Sequence, residues 1–391
     1  MTKRTVMETC ELFAGRYVVA GGSNMFPLCI RRARPRLVLG FLATSLAALL
    51  PTSASFAQTL GDVAVDVSNS TIMKLSAANG AVLWSASVTN DGALAVDQVD
   101  LGVYTGYGNH DYVGPGTVYK YDSSGGLAWS NSISVSSVCN FYLVNGVAVD
   151  TTSAEPGVVW TQGGCYGGMA KTRRGNGEQK WSIFTDDIYR PSIEPSSGRI
   201  YAITDAGSQY NYNTLYSATA AGTLTSAGSC EGYTDLNPAD GSLYRGGIMS
   251  SNGCGLILYK MNRSSLGATL WKMNLSSDIA SFDALAVQPW SGGYIYVAST
   301  SSSKIVVVNP ASRTVVTTFT TAVPPTSIAV DPAGGNVYVG GSSSNFVYAY
   351  SPTGSLVWTS PDLGGPVYYV AAPRGIVGTA ALLSPAPVPP M

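Results

Sequence analysis

The sequence of 391 residues is poor in charged side chains and contains one histidine, His110. Lysine, arginine, aspartate and glutamate together make up 12%, and the net charge at pH 7 is −1. The sequence therefore predicts no basic surface, and we do not expect the protein to bind nucleic acid. A lone histidine leaves little room for a multi-histidine metal site or for several histidine acid–base groups. We predict neither a metal nor another cofactor.

The sequence also lacks an apolar run long enough to span a bilayer permanently. The apolar stretch from Leu37 to Leu50 has 14 residues and follows a basic segment at 31–36. Small residues then lead to Ala57, an order that predicts a Sec-type bacterial signal at 1–57, cleaved after Ala57. Its extended n-region makes Met25 an alternative start. The mature chain is expected to be periplasmic or secreted, with no integral membrane segment.

What the sequence has instead is a repeat. A Gly-x-x-x-Trp element recurs with first positions 45, 52, 45, 45, 45 and 42 residues apart, if two degenerate copies are included. In these, Gly222 is followed by Ser226, and Ser312 by Val316. Such a period in a β-rich chain is typical of a propeller with one four-stranded blade per repeat. The intact copies are Gly80–Trp84, Gly125–Trp129, Gly177–Trp181, Gly267–Trp271 and Gly354–Trp358.

A second pattern predicts the innermost strand of each blade. A short apolar run closed by Asp or Pro recurs through the chain, as expected for a buried strand that ends in a tight turn. A second and third strand follow each run, and the Gly-x-x-x-Trp turn then leads into the outer strand. The runs end at Asp97, Asp150, Pro195, Pro238, Pro289, Pro332 and Pro373.

The ends of the repeat array predict how the ring closes. Residues Asp62 to Val88 match the outer three strands of a blade, and Val367 to Pro373 match an inner strand without a blade of its own. The C-terminal strand is therefore expected to complete the first blade and leave no free edge. The predicted fold is an all-β, seven-bladed β-propeller at 58–383, followed by a Pro-rich tail at 384–391.

Two segments resemble known propeller repeats. Met73 to Trp84 and Val347 to Trp358 are similar to the pyrroloquinoline-quinone (PQQ) type of repeat, and Ile328 to Val339 resembles the YVTN type. The resemblance implies a propeller, but such repeats serve enzymes, assembly factors and binding proteins alike. Quinone-dependent dehydrogenases of the first type are longer and carry adjacent cysteines, which this sequence lacks, so a non-dehydrogenase is expected.

Four cysteines follow the predicted cleavage site, an even number that favours disulfides in an exported protein. Cys139 and Cys230 each precede an expected inner strand, whereas Cys165 and Cys254 each lie between a second and a third strand. These two kinds of loop emerge on the same face of a propeller. The predicted disulfides are therefore Cys139–Cys165 and Cys230–Cys254, and the alternative is four free thiols.

The same face is expected to gather aromatic and polar loop residues that suit a saccharide or peptide ligand. The alternative is that these residues are ordinary components of loops. His110 and Asp111 can also be interpreted as an acid–base pair, although a surface histidine is the simpler interpretation. The candidate ligand-binding residues are His110, Asp111, Tyr112, Trp160, Tyr166, Asp187, Tyr189, Tyr210 and Tyr212.

Two further clusters are expected to be structural. Asp97, Asp150 and Asp331 recur at equivalent positions, so turn capping explains them better than calcium binding. The basic cluster from Lys171 to Arg174 is expected to be a solvated turn.

The preferred function is an exported, non-catalytic binding module for a protein, cell-wall or saccharide ligand. The alternatives are a propeller enzyme, either lyase-like or a quinone-linked oxidoreductase, and a soluble scaffold for envelope assembly. No catalytic residue is predicted.

Overall fold

The computed structural model describes residues 61–68, 70–88, 93–108, 115–134, 143–151, 156–163, 167–185, 188–204, 214–228, 232–247 and 255–374. All of them belong to one compact unit, Phe56–Met391. The predicted signal at 1–57 and the tail at 384–391 lie outside the described residues. No helix in the described part of the chain has the length and apolarity that a membrane crossing requires.

The described residues form seven four-stranded antiparallel sheets, which are the blades of a propeller. Blade 1 contains β1 (Val63–Val67), β2 (Thr71–Leu75), β3 (Val82–Ser87) and β28 (Val367–Ala371). Blade 2 contains β4 (Ala93–Val96), β5 (Val103–Tyr107), β6 (Gly116–Tyr121) and β7 (Leu127–Ile133). Blade 3 contains β8 (Leu143–Asp150), β9 (Gly157–Gly163), β10 (Gly168–Thr172) and β11 (Gln179–Phe184).

The remaining blades repeat this order. Blade 4 contains β12 (Ile188–Ile193), β13 (Ile200–Thr204), β14 (Thr214–Ala218) and β15 (Leu224–Gly228). Blade 5 contains β16 (Gly232–Leu236), β17 (Leu243–Gly247), β18 (Ile257–Met261) and β19 (Thr269–Asn274). Blade 6 contains β20 (Ala284–Val287), β21 (Ile295–Ser299), β22 (Lys304–Asn309) and β23 (Thr314–Thr320). Blade 7 contains β24 (Ser327–Val330), β25 (Val337–Gly340), β26 (Tyr348–Tyr350) and β27 (Leu356–Thr359).

The innermost strands form a closed ring. Strands β4, β8, β12, β16, β20, β24 and β28 each contact the next in this order, and β28 contacts β4. These are the strands that the apolar runs closed by Asp or Pro predicted. The C-terminal closure is also confirmed, because β28 pairs with β1 through Ala371 with Ala64 and Val370 with Val65. The seven-bladed propeller predicted from the repeat is therefore the fold of the chain.

The hydrophobic core lies between the blades rather than at the centre of the molecule. Seven clusters of buried side chains occupy the seven interfaces between neighbouring blades. In the interface that closes the ring, Val63 and Leu75 of blade 1 pack with Tyr338 and Trp358 of blade 7. Each blade is therefore stabilised by both of its neighbours, and removal of apolar surface from water in these interfaces holds the ring together.

The Gly-x-x-x-Trp element forms contacts between neighbouring blades. Each glycine opens the outer hairpin with a positive φ, such as +72° at Gly80 and +89° at Gly125. A Cβ atom on Gly125 would lie 2.8 Å from Trp84 of the preceding blade, so the glycine leaves room for the indole. The Trp84 Nε1–H also donates to the carbonyl oxygen of Ser123, at 2.8 Å, in the same hairpin. The tryptophan of one blade therefore packs on the glycine hairpin of the next.

Three other interfaces contain the same contact. Trp129, Trp181 and Trp358 donate to the carbonyl oxygens of Arg174, Ala220 and Ala77, at 3.0, 2.9 and 2.8 Å. The last of these joins blade 7 to blade 1 and so closes the ring at its outer edge.

In blade 6 the assignment of Ser312 and Val316 to the glycine and tryptophan places is wrong. Arg313 has the positive φ, +58°, and its N–H donates to the Asn309 carbonyl oxygen as Gly80 does to Ser76. Val316 is 37% exposed. The ring that packs against the next hairpin, at Gly354, belongs to Phe319, which also lies 5.3 Å from the Tyr350 ring. An aromatic residue further along the same strand thus fills the space that tryptophan fills elsewhere.

Candidate functional site

The strand pairing defines two faces of the propeller. Gly116 pairs with Ile133, and Thr117 pairs with Tyr107, so β5 and β7 end where β6 begins. We call this side the loop face, because the connections between second and third strands, and those entering each inner strand, leave from it. The opposite side, which carries the Asp/Pro turns and the glycine hairpins, is the turn face.

Most of the predicted site residues lie outside the described part of the chain, in segments that leave described strands at the loop face. For example, the segment between Tyr107 and Gly116 carries His110. The predicted ligand-binding role of these residues stays a prediction. The residues outside the described part are His110, Asp111, Tyr112, Tyr166, Asp187, Tyr210, Tyr212, Cys139, Cys165, Cys230 and Cys254.

The strands that flank the cysteine segments pair with each other. Leu143, where β8 begins after the Cys139 segment, pairs with Gly163, where β9 ends before Cys165. Gly232 and Gly247 are paired in the same way next to Cys230 and Cys254. The segments of each predicted disulfide therefore leave the propeller at neighbouring points. The two disulfides themselves stay predictions.

Two candidate residues are described, and they occupy different environments. Trp160 is 0% exposed in the interface between blades 2 and 3, where its Nε1–H donates to Thr172 Oγ1 at 2.9 Å. Its ring also meets Tyr104 edge-on, with ring centres 6.2 Å apart. Tyr189 is half-buried on β12. Its hydroxyl lies 3.3 Å from the place that a Cβ atom on Gly163 would occupy. Trp160 is thus a core residue, whereas Tyr189 lies near the loop face.

The inner strands of all seven blades line a channel along the propeller axis. Its cavity has a volume of about 220 Å³. The charged side chains that line it are Asp150, Arg190, Asp235 and Arg374. Alanine and valine dominate the rest of the wall, for example Ala95, Ala148, Ala286 and Ala329. The channel was not among the sequence-based site predictions, because its lining comes from one short strand of each blade.

Two bulges place side chains in this channel near the loop face. In β8 the pairing shifts between Val144 and Gly146, which leaves Asn145 unpaired, and in β12 it shifts between Tyr189 and Ser192 around Arg190. Arg190 has a φ of +49°, a conformation that costs a non-glycine residue about 1–2 kcal/mol. Its guanidinium carbon lies 4.1 Å from the centre of the Tyr233 ring, a cation–π contact.

Gly146 allows the two bulges to pack together. A Cβ atom at this position would lie 2.8 Å from the backbone nitrogen of Arg190 and 2.7 Å from Cδ of Pro191. Because the first of these neighbours is backbone, no rotamer change would relieve the contact. Bulges commonly redirect a side chain towards a binding site, and here they place Asn145 and Arg190 on the wall of the channel.

At the turn face, Arg374 connects opposite sides of the channel. This residue follows β28 of blade 1, but it forms an ion pair with Asp235 of blade 5, and its Nη1 donates to the Leu236 carbonyl oxygen at 3.2 Å. Asp235 Oδ2 also accepts the backbone N–H of Val287 in blade 6, at 2.8 Å. This carboxylate is 2% exposed. It therefore ties three blades together and is neutralised by Arg374.

The turn face of blades 2 and 3 contains a second set of ion pairs. Asp97 Oδ2 accepts hydrogen bonds from Arg174 Nε and Nη2, at 2.9 and 2.6 Å, across the blade interface. Lys171 Nζ and Asp150 Oδ2 are 3.2 Å apart, and both side chains are 0% exposed. The expectation that Lys171 to Arg174 form a solvated turn is therefore wrong for Lys171 and Arg174, because each one compensates a buried carboxylate.

The expected turn-capping role is confirmed for two aspartates. Asp97 Oδ1 accepts the N–H of Val99 at 2.9 Å, and Asp331 accepts those of Ala333 and Gly334 at 2.7 and 3.0 Å. These bonds satisfy backbone donors in the turn after the inner strand.

Burial changes the pKa of several groups beside these ion pairs. It lowers the pKa of Lys74 to about 8, although Asp62 and Asp100 oppose the change. Burial, with the negative charge of Asp97, raises the pKa of the Tyr104 hydroxyl. Lys74 Nζ donates to the Leu101 carbonyl oxygen of the next blade at 2.7 Å. The groups therefore have structural partners, which favours a role in joining blades over one in acid–base chemistry. No group of three or more potential metal ligands occurs among the described residues.

Comparisons with known proteins agree with this architecture. A family model described as "Outer membrane protein assembly factor BamB" matches residues 68–243. A chain of the crystal structure of the mitotic checkpoint complex is similar over 87% of this chain and 93% of its own, with a TM-score of 0.55 and 14% identity. The Pan2 WD40 domain of Neurospora crassa is similar over 71% and 81%, with a TM-score of 0.52 and 10% identity.

At these identities the two solved structures show the fold alone. No curated protein matches the chain. The family match and the seven blades together show that the chain is a β-propeller built from PQQ-like repeats. A propeller of this type fits an interaction or assembly module.

Proposed function

We propose that this chain is an exported propeller that binds a partner protein through its loop face. The observation that carries the proposal is the match of residues 68–243 to the model of an assembly factor, in a chain whose blades form a closed ring. A saccharide or cell-wall ligand on the same face is the second candidate, supported by the aromatic and polar residues in the loop sequences.

The closed ring supplies a rigid platform. The Trp358 hydrogen bond to Ala77 and the pairing of β28 with β1 join the two ends of the propeller. The Tyr338 hydroxyl adds a third tie, because it donates to the carbonyl oxygen of Gly61 at 2.8 Å. Rigid elements that carry variable loops are a common way to build a binding surface.

The connections of the loop face supply the longer loops. Those of blades 2, 4 and 5 run over 108–115, 205–213 and 248–256, whereas the turn-face connection of blade 2 covers only 97–102. The two predicted disulfides would stabilise this face by about 3 kcal/mol each in the chain-entropy model. Cys139–Cys165 would do so in blade 3 and Cys230–Cys254 in blade 5.

The proposed domain organisation is a signal at 1–57, one propeller at 58–383 and a Pro-rich tail at 384–391. Export to the periplasm or beyond is consistent with the name of the matched family, which refers to the outer membrane. The test of export is to recover the protein from envelope and medium fractions and to sequence its N-terminus. We expect a chain that begins at Gln58, whereas an intact N-terminus in the cytoplasm would contradict export.

The test of binding is a capture experiment from the envelope of the producing cell with three baits that retain the full mature chain. One bait is unaltered, one carries Tyr112→Ala with Tyr210→Ala on the loop face, and the control carries Val99→Ala with Arg313→Ala at exposed turn-face positions. We expect a partner that the loop-face variant loses and the turn-face variant retains. Equal capture by both variants would refute the loop face as the binding surface.

The same capture experiment tests the disulfides. A bait with all four mature cysteines changed to Ser is expected to bind less, because the loops lose their covalent constraint. Mass analysis after alkylation without reductant checks the pairing directly. Four alkylated thiols would exclude it.

A further inference from the structure

A cluster of hydrogen-bonding groups lines the axial channel between the loop face and the level of Asp235. Asn145 lies on β8, Arg190 and Ser192 lie on β12, and Thr234 lies on β16, so the four residues come from three neighbouring inner strands. They share one cavity of about 220 Å³ with walls that are otherwise mostly apolar. A concave apolar site with a few convergent polar groups is the usual form of a ligand site.

Both carboxylates that line the channel have a cationic partner, but Arg190 has no anionic one among the described residues. Asp150 is paired with Lys171, and Asp235 is paired with Arg374. Arg190 makes its cation–π contact with Tyr233 but has no carboxylate partner among the described residues. Tyr233 covers a face of the guanidinium plane, and the N–H groups at the edge of that plane remain available as donors. The end of the channel near the loop face therefore carries a positive charge that no side chain of the described chain neutralises.

The neighbouring polar groups also lack partners. Ser192 is 1% exposed and Thr234 is 5% exposed. Within the described part of the chain neither hydroxyl forms a hydrogen bond. Nδ2 of Asn145 also has none, but it lies 2.5 Å from the place of a Cβ atom on Gly163 and so faces β9. Buried polar groups in proteins are nearly always hydrogen-bonded, so two unpaired hydroxyls that line the same cavity as Arg190 indicate an absent partner. A carboxylate is a good match, because its two oxygens only accept and can take two N–H bonds from an arginine at once.

We infer that this part of the channel is a carboxylate-binding site, with Arg190 as the cationic anchor and Ser192 and Thr234 as hydrogen-bond donors. The channel as a whole, at about 220 Å³, has room for a compact organic acid or a single acidic side chain, because one water needs about 10–15 Å³ of such volume. The carboxylate belongs either to a free small molecule or to a glutamate or aspartate of a bound protein. This site does not depend on the proposed loop-face function.

The experiment is isothermal titration calorimetry on the full chain, in a low-salt buffer free of carboxylate and phosphate. The probes are acetate, succinate and the blocked tripeptide acetyl-Gly-Glu-Gly-amide, with acetyl-Gly-Gln-Gly-amide as the uncharged control. Saturable binding of acetate or succinate would identify a small-molecule site. Binding of the glutamate peptide alone would identify a site for a protein side chain, and both results support the inference.

The variants separate the anchor from general effects of charge and fold. Arg190→Gln is expected to weaken binding about ten- to a hundredfold, as loss of charge-assisted hydrogen bonds does. Arg313→Gln is the matched control, because Arg313 is also an arginine with positive φ, +58°, but lies in an exposed turn on the other face. It should leave the affinity unchanged. Arg190→Lys retains the charge and serves if Arg190→Gln does not fold.

Ser192→Ala and Thr234→Val give an independent readout. If the hydroxyls bind a ligand, each variant should bind about three- to tenfold more weakly, while its thermal midpoint without ligand stays equal or rises, because an unpaired buried group is removed. The inference is overturned if no carboxylate binds, or if Arg190→Gln and Arg313→Gln bind equally well. Those results would mean that water alone occupies the cavity.

Discussion

Replacement of Gly80 by alanine tests the contact that closes the ring at its outer edge. Gly80 has a φ of +72°, and a Cβ atom there would lie 2.6 Å from Cε3 and 2.8 Å from Cζ3 of Trp358. Trp358 is 8% exposed, and its indole donates to the carbonyl oxygen of Ala77 at 2.8 Å. Gly80→Ala must therefore move the indole of the last blade away from the hairpin of the first.

The expected loss of stability has three parts. An alanine in the left-handed conformation costs about 1–2 kcal/mol. The overlap with Trp358 adds about 1–3 kcal/mol for overpacking, and loss of the indole hydrogen bond adds about 1 kcal/mol. We expect Gly80→Ala to lower the free energy of unfolding by about 3–6 kcal/mol, which is a large fraction of the stability of most domains.

Gly292→Ala is the matched control, because Gly292 has nearly the same φ, +69°, but no atom lies within 4 Å of the place of its Cβ. It should cost only the conformational part, about 1–2 kcal/mol. Urea unfolding of both variants, followed by circular dichroism and tryptophan fluorescence, gives the two free energies. If the losses agree within about 0.5 kcal/mol, the Trp358 contact adds nothing and the proposed role of the motif is refuted.

Three further perturbations follow from the buried charges and from blade 6. Lys171→Met removes the ammonium group that compensates the buried Asp150 carboxylate and should cost about 3–5 kcal/mol, part of which a second change, Asp150→Asn, should restore in urea unfolding. The pKa of Lys74 is about 8 in the folded chain, against about 10.4 unfolded, so the unfolded chain binds more protons between these values and stability should rise with pH across this window. Lys74→Met should flatten the rise, and an unchanged pH profile would contradict the lowered pKa. Phe319→Ala should lower the urea midpoint through a loss of about 2–4 kcal/mol, whereas Val316→Thr, at an exposed position, should change stability by about 0.5 kcal/mol or less. A larger loss of stability for Val316→Thr than for Phe319→Ala would mean that Val316, and not Phe319, fills the space that tryptophan fills in other blades.

Much of the fold could be predicted because its signals are local. The turn after each inner strand is specified within a few residues, as when Asp331 accepts the N–H groups of Ala333 and Gly334. Gly80 and Gly125 likewise determine where the outer hairpins bend, because the positive φ is a property of the turn itself. Repetition of these signals then indicated the number of blades.

Contacts between blades were harder to predict. Lys171 and Arg174 have the composition of a solvated turn, but their carboxylate partners lie 21 and 77 residues earlier in the chain. In blade 6, the aromatic ring of Phe319 occupies the space between blades although it stands outside the four-residue spacing of the motif. The spacing describes one hairpin, whereas the space to be filled is formed by two.

The candidate sites also differ in whether the sequence could predict them. The loop residues from His110 to Tyr212 were selected by composition, and their role stays a prediction. The channel site around Arg190 has no sequence motif, since Asn145, Arg190 and Thr234 stand on different blades and two of them depend on bulges. A shift of one residue in strand pairing decides whether such a side chain meets the channel, and the shift depends on the neighbouring strand.

The sequence by itself determined the repeat period, the order of strands within each blade, the turns and the closure by the C-terminal strand. These properties depend on residue preferences at positions close together in the chain, repeated seven times. Only the tertiary structure decided which side chain fills each interface, which carboxylates are neutralised and that Arg190 meets no carboxylate among the described residues. Those outcomes depend on contacts between groups on different blades, and the sequence near each group does not specify such contacts.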